Sequence, residues 1–368
     1  DIRVGIFTIR EKWNNYFGLN INVRCKTHLS DLYSSVEDEA DLGINAGLLP
    51  NETIVQAVEE LQDKEILMQN GNVLAISPLP ANNSEIDKKL AEYKTIEYSE
   101  QAIIIKRSHD IFLNNELEIN NDFAYLKQNT KSIELEKSNT LIGNNIIIEQ
   151  GAKIRCSIIN TEDGPVYIGK NAEIMEGSII KGPTAILNNA VVKIGAKIYG
   201  ASTIGPWSKV GGEIGNSVIF GYSNKAHDGY LGNSVLGHWC NLGADTNTSN
   251  LKNNYSNVKT YDYPSKKMID TGTQYCGLTM GDHSKCGINT MFNTGTVVGV
   301  FANIFGSGFP NKFIPSFSWG GKDGFEDYNL EKAIEVAKKV MQRRNITLNE
   351  DEENVIKELF KITAQARK

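Results

Sequence analysis

The stretch IGKNAEIMEGSIIKGPTAILNNAVVKIGAKIYGASTIGPWSKV, from Ile168 to Val210, decides the fold. It carries a β-branched aliphatic residue at every sixth position: Ile168, Ile174, Ile180, Ile186, Val192, Ile198, Ile204 and Val210. A small residue follows each of the first seven after four positions: Ala172, Ser178, Thr184, Ala190, Ala196, Ser202 and Ser208. A period of six matches neither the 3.6-residue helical turn nor the two-residue alternation of a strand. It predicts triangular coils, with one short strand and one corner per hexapeptide, wound into a parallel β-helix whose aliphatic residues point inward.

The repeat extends on both sides of this stretch. A looser set at Ile142, Ile148 and Ile154 starts the coils, and regular spacing returns from Met280 to Ile304. Between Ile154 and Ile168 the spacing slips by two residues, which predicts a small loop around 163–165 because Gly and Pro interrupt regular structure.

Two further interruptions are longer. The spacing is irregular from Val210 to Leu236, which includes the segment 222–232, and residues 248–274 form a polar excursion before the coils resume. Because a solenoid is stabilised by repetition, interruptions kept inside a strict repeat are where we expect function.

The rest of the chain lacks the six-residue period. Before residue 135 the pattern predicts a mixed α/β region with strands at Val4–Ile9, Val73–Ile76 and Ile103–Ile105, a helix through residues 54–61, and a connector over 111–131. After Trp319 we expect one helix over Glu326–Asn345. A second should follow a capping box at Thr347–Glu350, with Val355, Ile356, Leu359 and Ile362 facing inward.

Composition narrows the class of protein. The net charge of the 368 residues is -6, which argues against nucleic acid as the main partner. The five cysteines include no Cys-x-x-Cys pair and indicate free thiols in a reducing compartment.

No segment is long and apolar enough to span a bilayer or resembles a signal peptide, so we expect a cytoplasmic protein that does not act at a membrane. The chain begins at Asp1 instead of Met, and we expect residues before it.

The irregular segments carry a family resemblance. Ala226-His-Asp-Gly-Tyr-Leu-Gly232, then Cys240-Asn-Leu-Gly-Ala-Asp-Thr246 and then Asn250 resemble the acetyltransferase half of the GlmU-like bifunctional enzymes that make UDP-N-acetylglucosamine. Two further segments, 3–13 and 280–289, resemble a divergent bacterial subgroup of that family. The resemblance implies a left-handed parallel β-helix and an acetyl-CoA-dependent acyltransferase. It also implies three parts: a nucleotidyltransferase-like α/β domain (1–135, lacking its first residues), the β-helix (136–320) and a helical segment (321–368).

By resemblance, His227 matches the general base of the family. Tyr230, Asn241 and Asn250 match residues that bind the amino-sugar phosphate or orient the base. The pattern departs from the family at three places: Asp245 replaces a Gly, Leu251 replaces a Tyr, and Gly215 stands where the family uses a lysine for the sugar phosphate. These departures concern the acceptor more than the chemistry.

The expected chemistry is acyl transfer from a thioester to the amine of an amino-sugar phosphate such as glucosamine 1-phosphate. This reaction needs a base for the amine proton and donors for the developing oxyanion. Histidine ordinarily titrates near neutral pH, which suits His227 for the base role. We assign Lys225 to the substrate, and Lys285, Lys312 and Ala244 to acetyl-CoA. No covalent intermediate is required, so the cysteines are not expected to act as nucleophiles.

The amino-terminal region carries weaker signals. It lacks the Gly-x-Gly-Thr-Arg loop that would cradle a triphosphate. The counterpart of the segment that supplies the family's metal-binding Asp is Asn45-Ala-Gly-Leu-Leu-Pro50, which has no carboxylate. Mg²⁺ and a uridine nucleotide are therefore expected only if this domain is active, and binding of a nucleotide sugar without turnover is an open alternative.

Other readings remain. His227, His238 and His283 could bind zinc in a carbonic anhydrase-like trimer, but their spacing lacks the close His pair of that family, and we expect His238 and His283 to face outward. No metal-binding residues are assigned. A homotrimer is expected in either case, because the flat faces of a triangular prism are buried when three prisms pack side by side. Trp207, Trp239 and Trp319 are predicted to serve packing or trimer contacts.

Overall fold

The six-residue period produces the coils that it predicts. In the computed structural model, which describes residues 1–33, 40–81 and 90–367, both repeating series from 168 to 210 are buried. The left-handed parallel β-helix is confirmed and has about 10 turns. Buried hydroxyls at the small positions bond to backbone carbonyls, as when Ser178 Oγ donates to Lys193 O at 3.0 Å. These bonds remove the cost of burying a hydroxyl inside the prism.

The prism has three faces, each a sheet of strands stacked coil upon coil. Face 1 contains Lys153–Ile154, Glu173–Ile174, Val191–Val192, Lys209–Val210, Asn224–Lys225, Asn241–Leu242, Lys285–Cys286, Asn303–Ile304, Ser318–Gly321 and Gly324–Asp327. Face 2 contains Thr140–Ile142, Ile158–Asn160, Ile179–Lys181, Lys197–Tyr199, Glu213–Gly215 and Tyr230–Gly232. Face 3 contains Ile146–Ile148, Val166–Ile168, Thr184–Ile186, Ser202–Ile204, Val218–Gly221, Val235–His238, Leu278–Met280, Thr296–Val298 and Phe313–Ile314. A separate two-stranded parallel sheet joins Asn247–Thr248 to Met291–Phe292.

The interruptions change the length of a coil without breaking the stack. Val210 pairs with Lys225 in parallel register and Asn224 pairs with Asn241, so the coil of the segment 222–232 is shorter than its regular neighbours. The excursion at 248–274 leaves the coils as predicted and contains an antiparallel hairpin, Lys259–Asp262 with Lys267–Asp270. The loop near 163–165 is also confirmed, since it lies between strands of faces 2 and 3.

The predicted connector over 111–131 is wrong. The structure has helices at Ser108–Leu113 and Asn115–Asn129, because Ile119, Phe123 and Leu126 recur every three or four residues and bury one face. Asn115 is fully buried and its side-chain amide donates to Ala201 O at 2.7 Å, which joins the second helix to the coils.

The chain divides into two compact units, one of Asp1–Ile2 with Phe7–Lys106 and one of Arg3–Ile6 with Arg107–Lys368. The first has a four-stranded sheet in the order Gly43–Ile44, Asn72–Ser77, Glu65–Gln69, Lys94–Glu97, and α-helices at Ile9–Phe17, Ser30–Tyr33 and Glu52–Glu59. The predicted strand near 73–76 and helix near 54–61 are confirmed. The predicted strand at Val4–Ile9 is wrong, since Thr8 caps the helix that starts at Ile9, and Ile103–Ile105 forms one isolated bridge.

Two helices close the chain, at Leu330–Gln342 and Glu350–Ile362. The first starts later than predicted, because residues 324–327 form an antiparallel strand with 318–321. The capping box of the second uses Asn349 and Glu352, two positions beyond the predicted one. Val355 and Ile356 are buried as expected, but Ile362 is exposed. The two domain boundaries, after residues 135 and 320, stay predictions.

Candidate functional site

An aromatic column runs along one corner of the prism, and the carboxy-terminal helices pack against this column. Five of its rings stack in succession along the coils: Tyr222, Trp239, His283, Phe301 and Phe317. All five have positive φ between 55° and 61°, a left-handed conformation that turns the chain at the corner. The helix Leu330–Gln342 buries Ala333, Ile334, Ala337 and Met341 against this column. The sequence prediction that Trp239 and Trp319 serve packing agrees with this cluster.

A cavity of about 470 Å³ lies between face 1 and the end of that helix. Its floor is a row of outward side chains in register on four successive coils, Lys209, Asn224, Asn241 and Lys285. Since neighbouring strands lie about 4.8 Å apart, this row is about 14 Å long. The remaining lining residues come from face 1, from the corners beside it and from the carboxyl end of the helix: Tyr222, Ala226, His227, Trp239, Leu242, Gly243, Val340, Arg343 and Arg344. The cavity therefore suits an elongated ligand.

The cavity is strongly cationic. Lys209, Lys285, Arg343 and Arg344 all line it, and no carboxylate is among its lining residues in the described part of the chain. Burial lowers the pKa of Lys209, and the positive charges of Arg344, Lys193 and Arg343 lower it further. Burial also lowers the pKa of Lys285. An excess of positive charge in a partly enclosed site favours an anionic ligand.

His227 lies at the corner between face 1 and face 2, and its side chain lines the cavity. The equivalent positions in the coils before and after are Gly212 and Ala244, by the register of the flanking strands. These small residues leave the imidazole exposed. Within the described residues it forms no hydrogen bond, so both ring nitrogens are available to a ligand.

A second polar cluster lies on face 2, beyond the His227 corner. Asn250 Nδ2 donates to the Tyr230 hydroxyl at 3.0 Å and to Asn233 Oδ1 at 2.8 Å. The Tyr199 hydroxyl donates to Glu213 Oε1 at 2.6 Å, and Glu213 pairs in register with Tyr230. Burial, assisted by the charge of Glu213, raises the pKa of Tyr230. The predicted substrate residues Tyr230 and Asn250 are thus brought together.

The cavity on this face is larger and less cationic. About 630 Å³ of space is lined by Tyr199, Glu213 and Asn216, with Lys181 and Lys197 opposite Asp163 and Glu116. Lys181 is already paired with Asp163 at 2.5 Å. The balance of charges makes this face suited to a polar ligand, and the cationic cavity suited to a highly charged one.

The other predicted residues lie in three different places. Asn241 and Lys285 line the cationic cavity, and Ala244 follows its lining residue Gly243. Lys312 lies outside that set and donates to Thr294 Oγ1 at 3.1 Å. Lys225 is inside the coil and 1% exposed, so the structure places its ammonium away from both cavities.

The sequence interpretation missed Lys209, Arg343 and Arg344. Lys209 belongs to a regular coil that gave no functional signal, and the two arginines follow a helix whose docking site could not be read from the repeat. A signal for Arg343 and Arg344 does exist, because two adjacent cations at a helix carboxyl end suit both the helix dipole and an anion.

The three histidines of the zinc alternative lie in different surroundings. His283 is buried in the aromatic column instead of facing solvent as expected, and His238 lies 3.9 Å from Asp282. Among the described residues no group of three or more His, Cys, Asp or Glu is placed to hold a metal ion. No helix in the described ranges is long and apolar enough to cross a membrane.

Comparisons with known proteins agree with the resemblance. Residues 1–131 match the family model described as sugar nucleotidyl transferase. The bifunctional protein GlmU of Synechococcus elongatus is 26% identical over 263 residues, which cover 64% of this chain and 53% of the relative. A bifunctional sugar-1-phosphate nucleotidylyltransferase/acetyltransferase of Sulfurisphaera tokodaii is 30% identical over 169 residues, 42% of this chain and 39% of that protein. The chain therefore spans about half the length of the relatives it matches.

Two solved structures are similar to this chain at low sequence identity. The polySia-specific acetyltransferase NeuO is 17% identical to this chain, with a TM-score of 0.31. The match covers 53% of this chain and 88% of the NeuO chain. The UDP-N-acetylglucosamine acyltransferase of Campylobacter jejuni is 16% identical to this chain, with a TM-score of 0.30. The match covers 61% of this chain and 95% of the acyltransferase chain.

Proposed function

We propose that this chain, which is GlmU-like in sequence and a transferase of sugar metabolism by its relatives, transfers an acyl group from coenzyme A to an amino-sugar phosphate. An acetyl group and glucosamine 1-phosphate are the simplest pair. The observation that carries the proposal is the placement of His227, the residue expected to act as base, beside four cations in one cavity.

The cationic cavity fits the donor. Coenzyme A bears phosphate groups, which charge-assisted bonds from Arg and Lys stabilise. Lys209 and Lys285 would meet them from the coils, and Arg343 and Arg344 from the helix. The stacked rings of Tyr222 and Trp239 line the same cavity and offer an apolar surface to a planar base.

Face 2 fits the acceptor. Tyr230, Asn250 and Asn233 present a hydroxyl and amides that suit sugar hydroxyls, and His227 lies at the corner between this cluster and the donor cavity. A base at that corner reaches ligands on either side. Gly215, where the family uses a lysine, belongs to this face, so the acceptor phosphate needs a different cation from the one the family uses.

The chemistry then follows from the position of one imidazole. The thioester supplies an electrophilic carbonyl carbon and a thiolate leaving group. As the amine nitrogen attacks that carbon, His227 accepts the amine proton; the new C–N bond forms, the C–S bond breaks, and the imidazole returns the proton to the departing thiolate. An imidazole serves both directions because one ring nitrogen can accept a proton and release it again.

A homotrimer belongs to the proposal. Face 2 exposes large apolar side chains on four successive coils, Ile142, Ile158, Ile179 and Tyr199, each between 37% and 44% exposed. An apolar patch on a flat face is typical of a surface that another subunit covers. Covering it would enclose the acceptor side of the His227 corner.

The second candidate function lies in the amino-terminal region. The match of residues 1–131 to sugar nucleotidyl transferases favours binding or turnover of a nucleotide sugar there. In the metal-site counterpart, Asn45 bonds to Val73 O and accepts from Gly47 N, so its amide holds the turn. Formation of UDP-sugar from UTP, Mg²⁺ and sugar 1-phosphate would establish turnover, whereas binding of UDP-N-acetylglucosamine without it would establish a binding domain.

The test of the main proposal is release of free thiol from acetyl-CoA in the presence of glucosamine 1-phosphate and related amino sugars. We expect acceptor-dependent turnover in the wild type and a loss of about 100-fold or more in His227→Ala. His238→Ala, which changes a partly exposed histidine outside the cavity, is the matched control and should keep its activity. Full activity of His227→Ala on the best acceptor would reject the base assignment.

A further inference from the structure

Lys225 is a lysine in an apolar column. Its side chain lies inside the coils on face 1, between Val210 of the preceding coil and Leu242 of the next. The interior positions farther along the same face include Val192 and Ile304. A charge in such a place is costly unless it is fully hydrogen-bonded.

The ammonium of Lys225 is fully hydrogen-bonded. Nζ donates to the backbone carbonyl oxygens of Gly211 at 3.1 Å, His227 at 2.5 Å and Asp228 at 3.1 Å. An ammonium has three N–H groups, so these three bonds use all of them. Gly211 belongs to the preceding coil, whereas His227 and Asp228 form the corner. Through these bonds Lys225 connects the main chain of the corner to the preceding coil.

The core does not need a lysine here. An apolar side chain of similar volume would fill the position, as it does elsewhere in the column, and replacing a buried charge by such a residue is often neutral or stabilising. Burial lowers the pKa of Lys225 to about 8, which reflects the cost of keeping the ammonium inside. What an apolar residue could not supply is the set of bonds to the corner.

We infer that Lys225 is a positioning residue for the acyl transfer, which holds the main chain of His227 so that the imidazole stays directed into the cationic cavity. This inference rests on the proposed function, and it replaces the expectation that Lys225 contacts substrate. The negative charges of Asp228 and Asp245 act on its ammonium, and the Cys286 thiol lies on the next coil but one.

The test is Lys225→Met, which keeps the length and volume of the side chain and removes the donors. We expect a thermal midpoint equal to or above that of the wild type, a kcat about tenfold lower, and unchanged KM values for donor and acceptor. Hydrogen–deuterium exchange of peptides covering 226–229 should be faster, and this readout does not depend on any substrate.

The controls separate positioning from a general effect on the core. Ile304→Met, an apolar exchange at another interior position of face 1 that does not line the cavity, should change neither kcat nor the exchange of 226–229. In the His227→Ala background, Lys225→Met should cause no further loss, because the lysine acts through that histidine. Lys225→Gln retains two donors, should give an intermediate kcat, and serves if the Met variant does not fold.

Each outcome bears on one claim. Wild-type exchange together with wild-type kcat in Lys225→Met would overturn the inference, and a raised acceptor KM alone would show contact with substrate instead. If His227→Ala remains active, the proposed base is wrong, while faster exchange in Lys225→Met would still show that the lysine holds the corner.

Discussion

The rings of Tyr222 and Trp239 stack with centroids 4.3 Å apart on successive coils, and the same two rings line the cationic cavity. Trp239 continues the stack to His283, whose ring centroid is 6.1 Å away. One corner of the prism thus serves two purposes: it docks the carboxy-terminal helices, and it forms one wall of the candidate donor site.

Trp239→Ala should destabilise the second unit. The ring is buried between Tyr222 and His283, and truncating a buried tryptophan costs about 3–5 kcal/mol of unfolding free energy. Chemical denaturation should show this loss. The control is Trp207→Ala, since Trp207 has the same left-handed backbone but is 41% exposed and should cost less than about 1 kcal/mol. Equal losses in the two variants would contradict the role of the stack.

The sequence predicted the coils but not this column, for a physical reason. Interior positions from 168 to 210 repeat every six residues because each side of the triangle has the same length. The aromatic positions recur once per coil, and coil length varies at the interruptions, so the spacings from Tyr222 to Trp239 and from Trp239 to His283 differ. Register could be recovered only once strand pairing was known.

Arg343→Ser with Arg344→Ser should weaken donor binding. Each arginine lost from the cavity removes a charge-assisted bond to an anion, worth about 1.5–3 kcal/mol, so the loss of both should raise KM for acetyl-CoA by about 100-fold or more. We also expect the KM to become less sensitive to salt, because fewer charges remain to be screened. Initial rates at two ionic strengths measure both effects.

The matched control for the arginine pair is Lys339→Ser on the same helix. Lys339 pairs with Glu335 at 2.5 Å and lies outside the cavity lining. The Lys339→Ser substitution changes the charge of the helix without changing the cavity, so the KM of this variant for acetyl-CoA should equal that of the wild type. A rise equal to that of the arginine variant would mean that overall charge, and not the cavity, controls donor affinity.

The residues of the cavity also show which parts of the candidate site can be predicted from the sequence. The segment 225–250 and the coil after it indicate His227, Asn241 and Lys285, and all three line one cavity in the structure. Arg343 and Arg344 lie far along the chain, and only the packing of Ala337 and Met341 against the aromatic corner brings them there. Long-range docking of a helix is decided by complementary surfaces, which a single sequence does not display.

Tyr230→Phe should raise KM for the acceptor and leave KM for acetyl-CoA unchanged. The substitution removes the hydroxyl that accepts from Asn250 Nδ2 at 3.0 Å and keeps the ring. Under the proposed function the same hydroxyl bonds to the acceptor, and the loss of one neutral hydrogen bond to the acceptor predicts a rise of about three- to tenfold. Tyr255→Phe, which alters a tyrosine that is 63% exposed on the excursion, is the control. A change confined to the donor KM would place Tyr230 on the wrong side of the corner.

His283 should make the second unit sensitive to acid. Its ring is buried between Trp239 and Phe301, its Nδ1 has no hydrogen-bond partner among the described residues, and burial, assisted by Lys285 and His238, lowers its pKa to about 3. In the unfolded chain a histidine titrates near 6.5, so below that pH the unfolded state binds a proton that the folded state does not. Stability that is present above pH 6.5 is therefore lost as the pH falls towards 3, by at most about 1.4 kcal/mol per pH unit.

His283→Phe isolates this contribution, because phenylalanine can keep the stack with Trp239 and Phe301 and does not titrate. The difference in unfolding free energy between wild type and variant should be constant above pH 7.5 and should shift in favour of the variant as the pH falls below 6.5. Denaturant titrations at half-unit pH intervals measure it, and the other titrating groups cancel in the difference. A difference that stays flat down to pH 4 would show that the imidazole is protonated inside the stack.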